Sequence, residues 1–341
     1  MRMTTFVVVV VLLASMSFCG DVAAQSFTGL GELPGGPHSS FAFNLSGDGQ
    51  FVVGRSQVTD NETEAFLWTE SSGITGLGMP PGSDTSSGLA VSNDGGVAAG
   101  SHGADVSATN PSRAFLWTST GGPADFDPFP ATAAFQTVSH LSADGSTVVG
   151  TYRRGLQGLD VAYHWSGGVL TEIEDPNLDD STNAGGVSAD GTVVVGGTEI
   201  LIFPGDNIRE AFVWTASEGI TRLGFLPGAS NNSGASGISA DGNVVVGSSD
   251  NASGDNEAFR WTEAGGMVGL GDLPGGDFQS RATDTTADGS IIVGTSNVAN
   301  SPPMLPDSDP FIWDQTNGMR NLVDVLTNDF GLDAHLSLIH I

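Results

Sequence analysis

The sequence predicts an all-β chain: a β-propeller of four-stranded repeat blades, with six units present and a seventh truncated. Two independent markers carry the repeat. Asp-Gly pairs begin at Asp48, Asp94, Asp144, Asp190, Asp241 and Asp288, 46 to 51 residues apart. The tryptophans Trp68, Trp117, Trp165, Trp214, Trp261 and Trp313 keep the same period. Composition is the third observation: 49 glycines and only 14% charged residues suit many short strands joined by tight turns. The 39% of hydrophobic residues fall at regular places, which excludes a disordered chain.

Each unit reads as four strands. The first ends at the Asp-Gly pair, as in "VSHLSADG". Asp-Gly between two apolar segments signals a hairpin, because both residues tolerate positive φ. The second strand follows at once, as in "STVVGT", "TVVVGG" and "NVVVGS". Its unbroken apolar run predicts a strand covered on both faces, as when blades stack. The third strand carries "EAFLW", "RAFLW", "VAYHW", "EAFVW", "EAFRW" and "DPFIW". Phe66 and Trp68 are two apart, so they share one face and can wedge between blades. The six tryptophans are expected to be largely buried. The fourth strand follows a Gly turn, as in "GITGLG", and a Pro-Gly turn leads onward. A β-solenoid has shorter coils and no antiparallel hairpins within each unit.

The ends depart from the repeat. Residues 1–24 read as a secretory signal: Arg2, an apolar run from Phe6 to Ala14, and Val22-Ala23-Ala24 before Gln25. The run is short for a bilayer span. Residues 25–335 form the repeat domain. Phe27–Leu33 reads as a lone fourth strand, the kind that closes a ring by pairing into the last blade. Residues 336–341 match no repeat position and are expected to be a foreign tail. Removal of the signal takes Cys19 with it, which excludes disulfides and thiolate metal sites in the mature chain.

The net charge of −29, from 39 acidic and 10 basic residues, disfavours nucleic acid and anionic membrane surfaces as partners. It fits solubility in a salty medium. A surface that collects divalent cations is the sharper alternative.

The "xAFxW" strand after an "ISADGxxVVG" hairpin, followed by "GxxxLGxLPGG", resembles the HAF-repeat family of bacterial extracellular proteins. The resemblance runs from Phe27 to about Asp333. Glu64, Arg113, Val161, Glu210, Glu257 and Asp309 stand where the family name has His. The resemblance implies an exported, secreted or cell-surface-associated protein. It brings no catalytic residues.

The residues themselves point weakly to chemistry. The Asp-Gly acids read as hairpin residues, since six identical catalytic acids make no sense. No histidine has zinc-ligand spacing, and His164 is expected to be exposed. Tyr152-Arg153-Arg154 is the one basic cluster and could meet an anionic sugar. The second-to-third and fourth-to-first loops share one face, vary in length and are acidic; function is expected there. Asp179 and Asp180, and Asp250 with Asp255, are the metal candidates, with Ca2+ the cation and no other cofactor expected. The expected role is a monomeric, non-catalytic binding or matrix protein meeting an extracellular glycan or surface protein. The alternative is an extracellular polysaccharide hydrolase or lyase.

Overall fold

The computed structural model describes residues 29–36, 39–103, 112–156, 158–174, 181–202, 206–229, 231–298 and 308–331. The signal segment, Asp179, Asp180 and the tail 336–341 lie outside them.

Six four-stranded antiparallel blades follow one another. Blade 1 holds β1 (Ser40–Leu45), β2 (Phe51–Gln57), β3 (Thr63–Thr69) and β4 (Gly73–Gly78). Blade 2 holds β5 (Thr85–Val91), β6 (Val97–Gly103), β7 (Arg113–Thr118) and β8 (Gly122–Asp125). Blade 3 holds β9 (Ala133–Leu141), β10 (Thr147–Arg154), β11 (Asp160–Ser166) and β12 (Val169–Ile173). Blade 4 holds β13 (Ser181–Val187), β14 (Val193–Ile202), β15 (Asp206–Thr215) and β16 (Gly219–Gly224). Blade 5 holds β17 (Ser233–Ile238), β18 (Val245–Asp250), β19 (Asn256–Thr262) and β20 (Gly266–Gly269). Blade 6 holds β21 (Ser280–Thr285), β22 (Ile291–Asn297), β23 (Ser308–Asp314) and β24 (Gly318–Asn321). A single parallel pair, Thr63 with Thr85, joins blades 1 and 2 into one sheet. The first strands of consecutive blades pack on one another, from β1 through β5, β9, β13 and β17 to β21, which makes them innermost.

The apolar second strand is covered on both faces. Val53 lies in the core between blades 1 and 2, Val149 in that between blades 3 and 4, and Val195 in that between blades 4 and 5. Their neighbours Val52, Val148 and Val194 point to the opposite side. The aromatic of the third strand enters the same cores: Phe66, Phe115, Tyr163, Phe212, Phe259 and Phe311 are all fully buried. Each fills space left by a second-strand glycine. A Cβ on Gly196, for instance, would collide with the Phe212 ring and with the carbonyl of Asn183.

The tryptophans share that face but not that depth. Trp214 is buried, while the other five are half-buried. Phe66 pairs with Gly54, whereas the half-buried Trp68 pairs with Val52. The indole therefore has no glycine beneath it and sits shallower.

The Asp-Gly turn also differs from the two-residue hairpin the sequence suggests. Only its glycine has positive φ, between 65° and 76°. Gly191 N–H donates to the Ser188 carbonyl at 2.9 Å, as in a type I turn ended by a left-handed glycine.

The N-terminal segment is not a strand in its described part. Leu30 and Leu33 pack on Ala42, Val52 and Phe66 of blade 1. Leu33 N–H donates to Ser56 Oγ at 3.0 Å, as Leu226 does to Ser249 and Leu273 to Ser296. Residues 29–33 thus occupy the place of an inter-blade linker on blade 1, not a strand position beside blade 6. At the other end, an α-helical turn (Leu322–Asp324) and a π-helical turn (Val325–Asp329) cover Ile312 of blade 6.

Candidate functional site

The two ends of the blades are built differently. At the Asp-Gly end every turn repeats one hydrogen-bond set. In blade 5, Ser239 Oγ donates to Asp241 Oδ1 at 2.6 Å and accepts from Val244 N–H at 2.9 Å. The Asn243 N–H donates to the same carboxylate at 3.0 Å. Hydrogen bonds from the serine and the turn backbone hold Asp94, Asp144, Asp190 and Asp241 below the usual carboxylate range. Asp288 is lowered to about 2, with Thr286 in the serine's place. The turns are then tied to one another. Asn93 N–H donates to Ala143 O, Ala143 to Ala189, Ala189 to Ala240, and Ala240 to Ala287, at 2.8 to 3.0 Å. These acids are structural, as their place in the hairpin predicts.

The loop end is stitched by hydroxyls. In blades 1, 3, 4 and 5 the alanine of the "xAFxW"-type strand faces a Ser or Thr early in the first strand of the next blade. Ala65 N–H donates to Ser86 Oγ, Ala162 to Thr182, Ala211 to Ser233, and Ala258 to Ser280, at 2.8 to 2.9 Å. Those hydroxyls donate onward to Gly78, Ile173, Gly224 and Gly271 carbonyls. Three lead residues of the motif have a structural role as well. Glu64, Glu210 and Glu257 accept from the N–H groups of Gly78, Gly224 and Gly271 at 2.8 to 3.1 Å.

One seam breaks this pattern. Gln136 lies six residues before Ser142, where Ser86 precedes Ser92 and Ser233 precedes Ser239. It therefore takes the stitching position between blades 2 and 3. His102 likewise stands where β2, β18 and β22 place Ser56, Ser249 and Ser296. Larger side chains replace small hydroxyls at both positions. A cavity of about 450 Å3 opens there, lined by Ser83, His102, Arg113, Asp125, Asp127 and Gln136 among others. A second, of about 360 Å3, lies between blades 1 and 2 beside Arg55, with His102 shared between them. Both open at the ends of second strands and the starts of first strands, the face expected to carry function.

The geometry of the larger cavity is polar. Ser83 Oγ lies 2.6 Å from His102 Nδ1. His102 Nε2 is 3.2 Å from Asp125 Oδ1 but out of line for a hydrogen bond, so this buried atom is left without one. Burial holds the imidazole below its ordinary range; Asp125 opposes the shift and Arg113 adds to it. Arg113 is ion-paired with both Asp125 and Asp127, at 3.3 and 3.5 Å. Gln136 Nε2 donates to Asp127 Oδ1 at 3.4 Å, while its buried Oε1 has no partner. The wall includes Phe135, at φ 51°, the one non-glycine residue with positive φ among the described residues. The register of β9 on β10 slips here, between Thr151 and Arg153. A bulky residue in this conformation is costly, and such strain gathers at functional sites.

The sequence-predicted candidates lie elsewhere. The Asp250 carboxylate accepts from Asn232 Nδ2 of the preceding linker at 3.2 Å, whereas Asp255 is held through its backbone, its N–H donating to Asn251 Oδ1 at 3.1 Å. No three metal-ligating side chains come together among the described residues. Asp272 is held above the usual carboxylate range by desolvation, then by repulsion from Glu257 and Asp255. The basic cluster is committed within blade 3. Tyr152 is buried and bonded to Glu172, its hydroxyl pushed up to about 12 chiefly by desolvation. Arg153 forks onto Asp160 at 2.7 and 3.0 Å, and Arg154 pairs with Glu172 and Glu174. His164 is half-buried rather than exposed: its Nε2 lies 2.9 Å from Gly191 O and its ring packs on Trp214. Elsewhere, burial lowers His140 on β9 and raises Asp284 on β21, the two interacting between non-adjacent blades.

No family model and no curated protein sequence matches the chain. Solved structures do. The β-propeller domain of the trilobed protease of Pyrococcus furiosus, with an open velcro topology, is 12% identical at a TM-score of 0.52. That match covers 83% of this chain and 82% of that one. A prolyl endopeptidase structure is 14% identical at a TM-score of 0.54, covering 83% of this chain and 42% of its own. Dipeptidyl peptidase 4 of Porphyromonas gingivalis is 13% identical at 0.51, covering 90% and 48%. The chain spans under half the length of these two peptidases. At such identities the likeness shows the propeller fold. No helix among the described residues is long and apolar enough to cross a membrane.

Proposed function

We propose that this is a secreted or cell-surface-associated, non-catalytic binding protein that takes its ligand on the loop face. One observation carries the reading. Both cavities open on that face, and the larger holds two buried polar atoms without hydrogen-bond partners. Buried polar groups are ordinarily satisfied, and leaving one unpaired costs about 1–3 kcal/mol. The apolar run of residues 6–14 and the resemblance to exported repeat proteins support export. The acidic surface supports a partner that is neither nucleic acid nor anionic lipid, with Ca2+ a further candidate ligand.

Asp125 and Asp127 give the polysaccharide-hydrolase reading its foothold, since both lie in one concave site. Arg113 bridges them, so neither stands free as the proton donor such chemistry needs. Binding without turnover fits this arrangement better.

The test is an array of extracellular glycans and surface proteins probed with the chain from residue 25, with and without calcium. Wild type is compared with Arg55→Ala and Arg113→Gln on the loop face and Asp241→Ala at the turns. Binding weakened by a loop-face variant and kept by Asp241→Ala supports the proposal. Binding that tracks Asp241→Ala alone sinks it.

A further inference from the structure

We infer that the cavity between blades 2 and 3 is a subsite for a neutral sugar unit. This rests on the loop-face reading and goes further by naming the place and the ligand class.

The argument starts from the broken stitch. At four seams a small buried hydroxyl both accepts from an alanine N–H and donates to a carbonyl, which closes the seam. At the fifth, Gln136 brings a carboxamide of four polar valences into the same position. Its Nε2 donates to Asp127, which fixes the orientation of the amide and leaves Oε1 as a bare acceptor. Gln136 is 7% exposed and His102 6%, so bulk water does not satisfy these groups from an open surface. Both side chains line the cavity. The seam holds groups that its own fold does not use.

The chemistry of the unused groups selects the ligand. Gln136 Oε1 requires a donor. The carboxylates of Asp125 and Asp127 accept as well, and Arg113 donates. Two carboxylates against one guanidinium repel an anionic ligand. The guanidinium, set between the carboxylates, repels a metal ion or an amine from the same spot. An apolar ligand would leave every one of these groups unsatisfied. What remains is a neutral ligand whose groups both donate and accept at short spacing, which describes the hydroxyls of a pyranose. The volume of about 450 Å3 falls within the ~300–1,000 Å3 of small-molecule sites. Phe135 adds to the lining at its strained φ of 51°, with the Arg153 guanidinium 5.1 Å from its ring.

The test is calorimetric titration of the chain from residue 25 with cellotetraose, mannotetraose, xylotetraose and chitotetraose. Tetragalacturonate and calcium chloride alone serve as controls. At least one neutral tetrasaccharide is expected to bind, and the uronate is not. Gln136→Met, and separately Arg113→Gln, should weaken that binding about tenfold or more, the worth of one lost hydrogen bond to a buried or charged group. Arg113 is half exposed, so its variant folds even if the buried one does not. Binding lost only in Arg55→Ala would keep the loop face and move the site to the seam between blades 1 and 2, overturning this inference. Binding untouched by all three variants, or no neutral sugar bound, would overturn it as well. Tighter binding of the uronate would reverse the assigned ligand class.

Discussion

The turn end and the loop end of the blades use the same small polar residues for opposite purposes. At the turn end, Ser142, Ser188 and Ser239 are fully buried and each satisfies both a carboxylate and a backbone N–H. The loop end follows the same rule at four seams and abandons it at the fifth. There a carboxamide and an imidazole replace hydroxyls, and two buried atoms go unpaired. His140 Nδ1 and Arg320 Nε are the other buried atoms without a hydrogen bond among the described residues, and only in this seam do two such atoms come from side chains that replace hydroxyls and line one cavity. The difference marks the turn end as scaffold, and it is why the proposed sugar site is placed in the seam between blades 2 and 3.

If that contrast holds, substitutions at the turn end should cost stability and leave binding alone. Gly289→Ala has the largest expected effect. Its φ is +68°, and a Cβ there would run into the Val244 side chain. Left-handed strain and overpacking together should lower unfolding free energy by about 3 kcal/mol in urea titration. Sugar binding by the folded fraction should be unchanged. Ser239→Ala comes next, at about 2 kcal/mol, because it strips a partner from Asp241 and leaves the Val244 N–H buried and unpaired.

Acid sharpens the comparison. Asp94, Asp144, Asp190, Asp241 and Asp288 have folded-state values below the ordinary 3.8, with Asp288 at about 2. A depressed carboxylate stabilises the fold above its unfolded value and loses that contribution as pH falls through its folded value. Stability should therefore drop between about pH 4 and pH 2. Asp241→Asn should flatten part of that decline when circular dichroism is followed against pH.

At the loop end the expected stability effects are the smallest. Phe135→Gly should stay within about 0.5 kcal/mol of wild type, because relief of the positive φ offsets the lost ring contacts. It should nevertheless weaken sugar binding in the same calorimetric titration.

The fold was legible because six copies vote together: Asp-Gly, an apolar pair before glycine and the aromatic strand each recur in one frame. Burial within the motif was less so. Phe and Trp look equivalent in "AFLW", and only pairing shows that Phe lies over a glycine and Trp over a valine. The proposed site was written in the same alignment, where "AFQTVSHLSADG" puts Gln136 and "AAGSH" puts His102 in hydroxyl positions. Acidic loops do not mark it: the Asp250 carboxylate is engaged by Asn232 of the preceding linker, far from the seam between blades 2 and 3. That residues 29–33 serve as a linker was also present in sequence, because "LGELPGG" matches "LGDLPGG" of the fifth linker.

Restoring the stitch tests the central claim most directly. Gln136→Ser returns to blades 2 and 3 the residue that Ser86, Ser233 and Ser280 supply elsewhere. Thermal unfolding and tetrasaccharide titration would be read on the same sample. The account predicts a melting temperature above wild type, because an unpaired buried carbonyl is replaced by a stitching hydroxyl, together with loss of sugar binding. A variant that melts lower than wild type and still binds the sugar would contradict it.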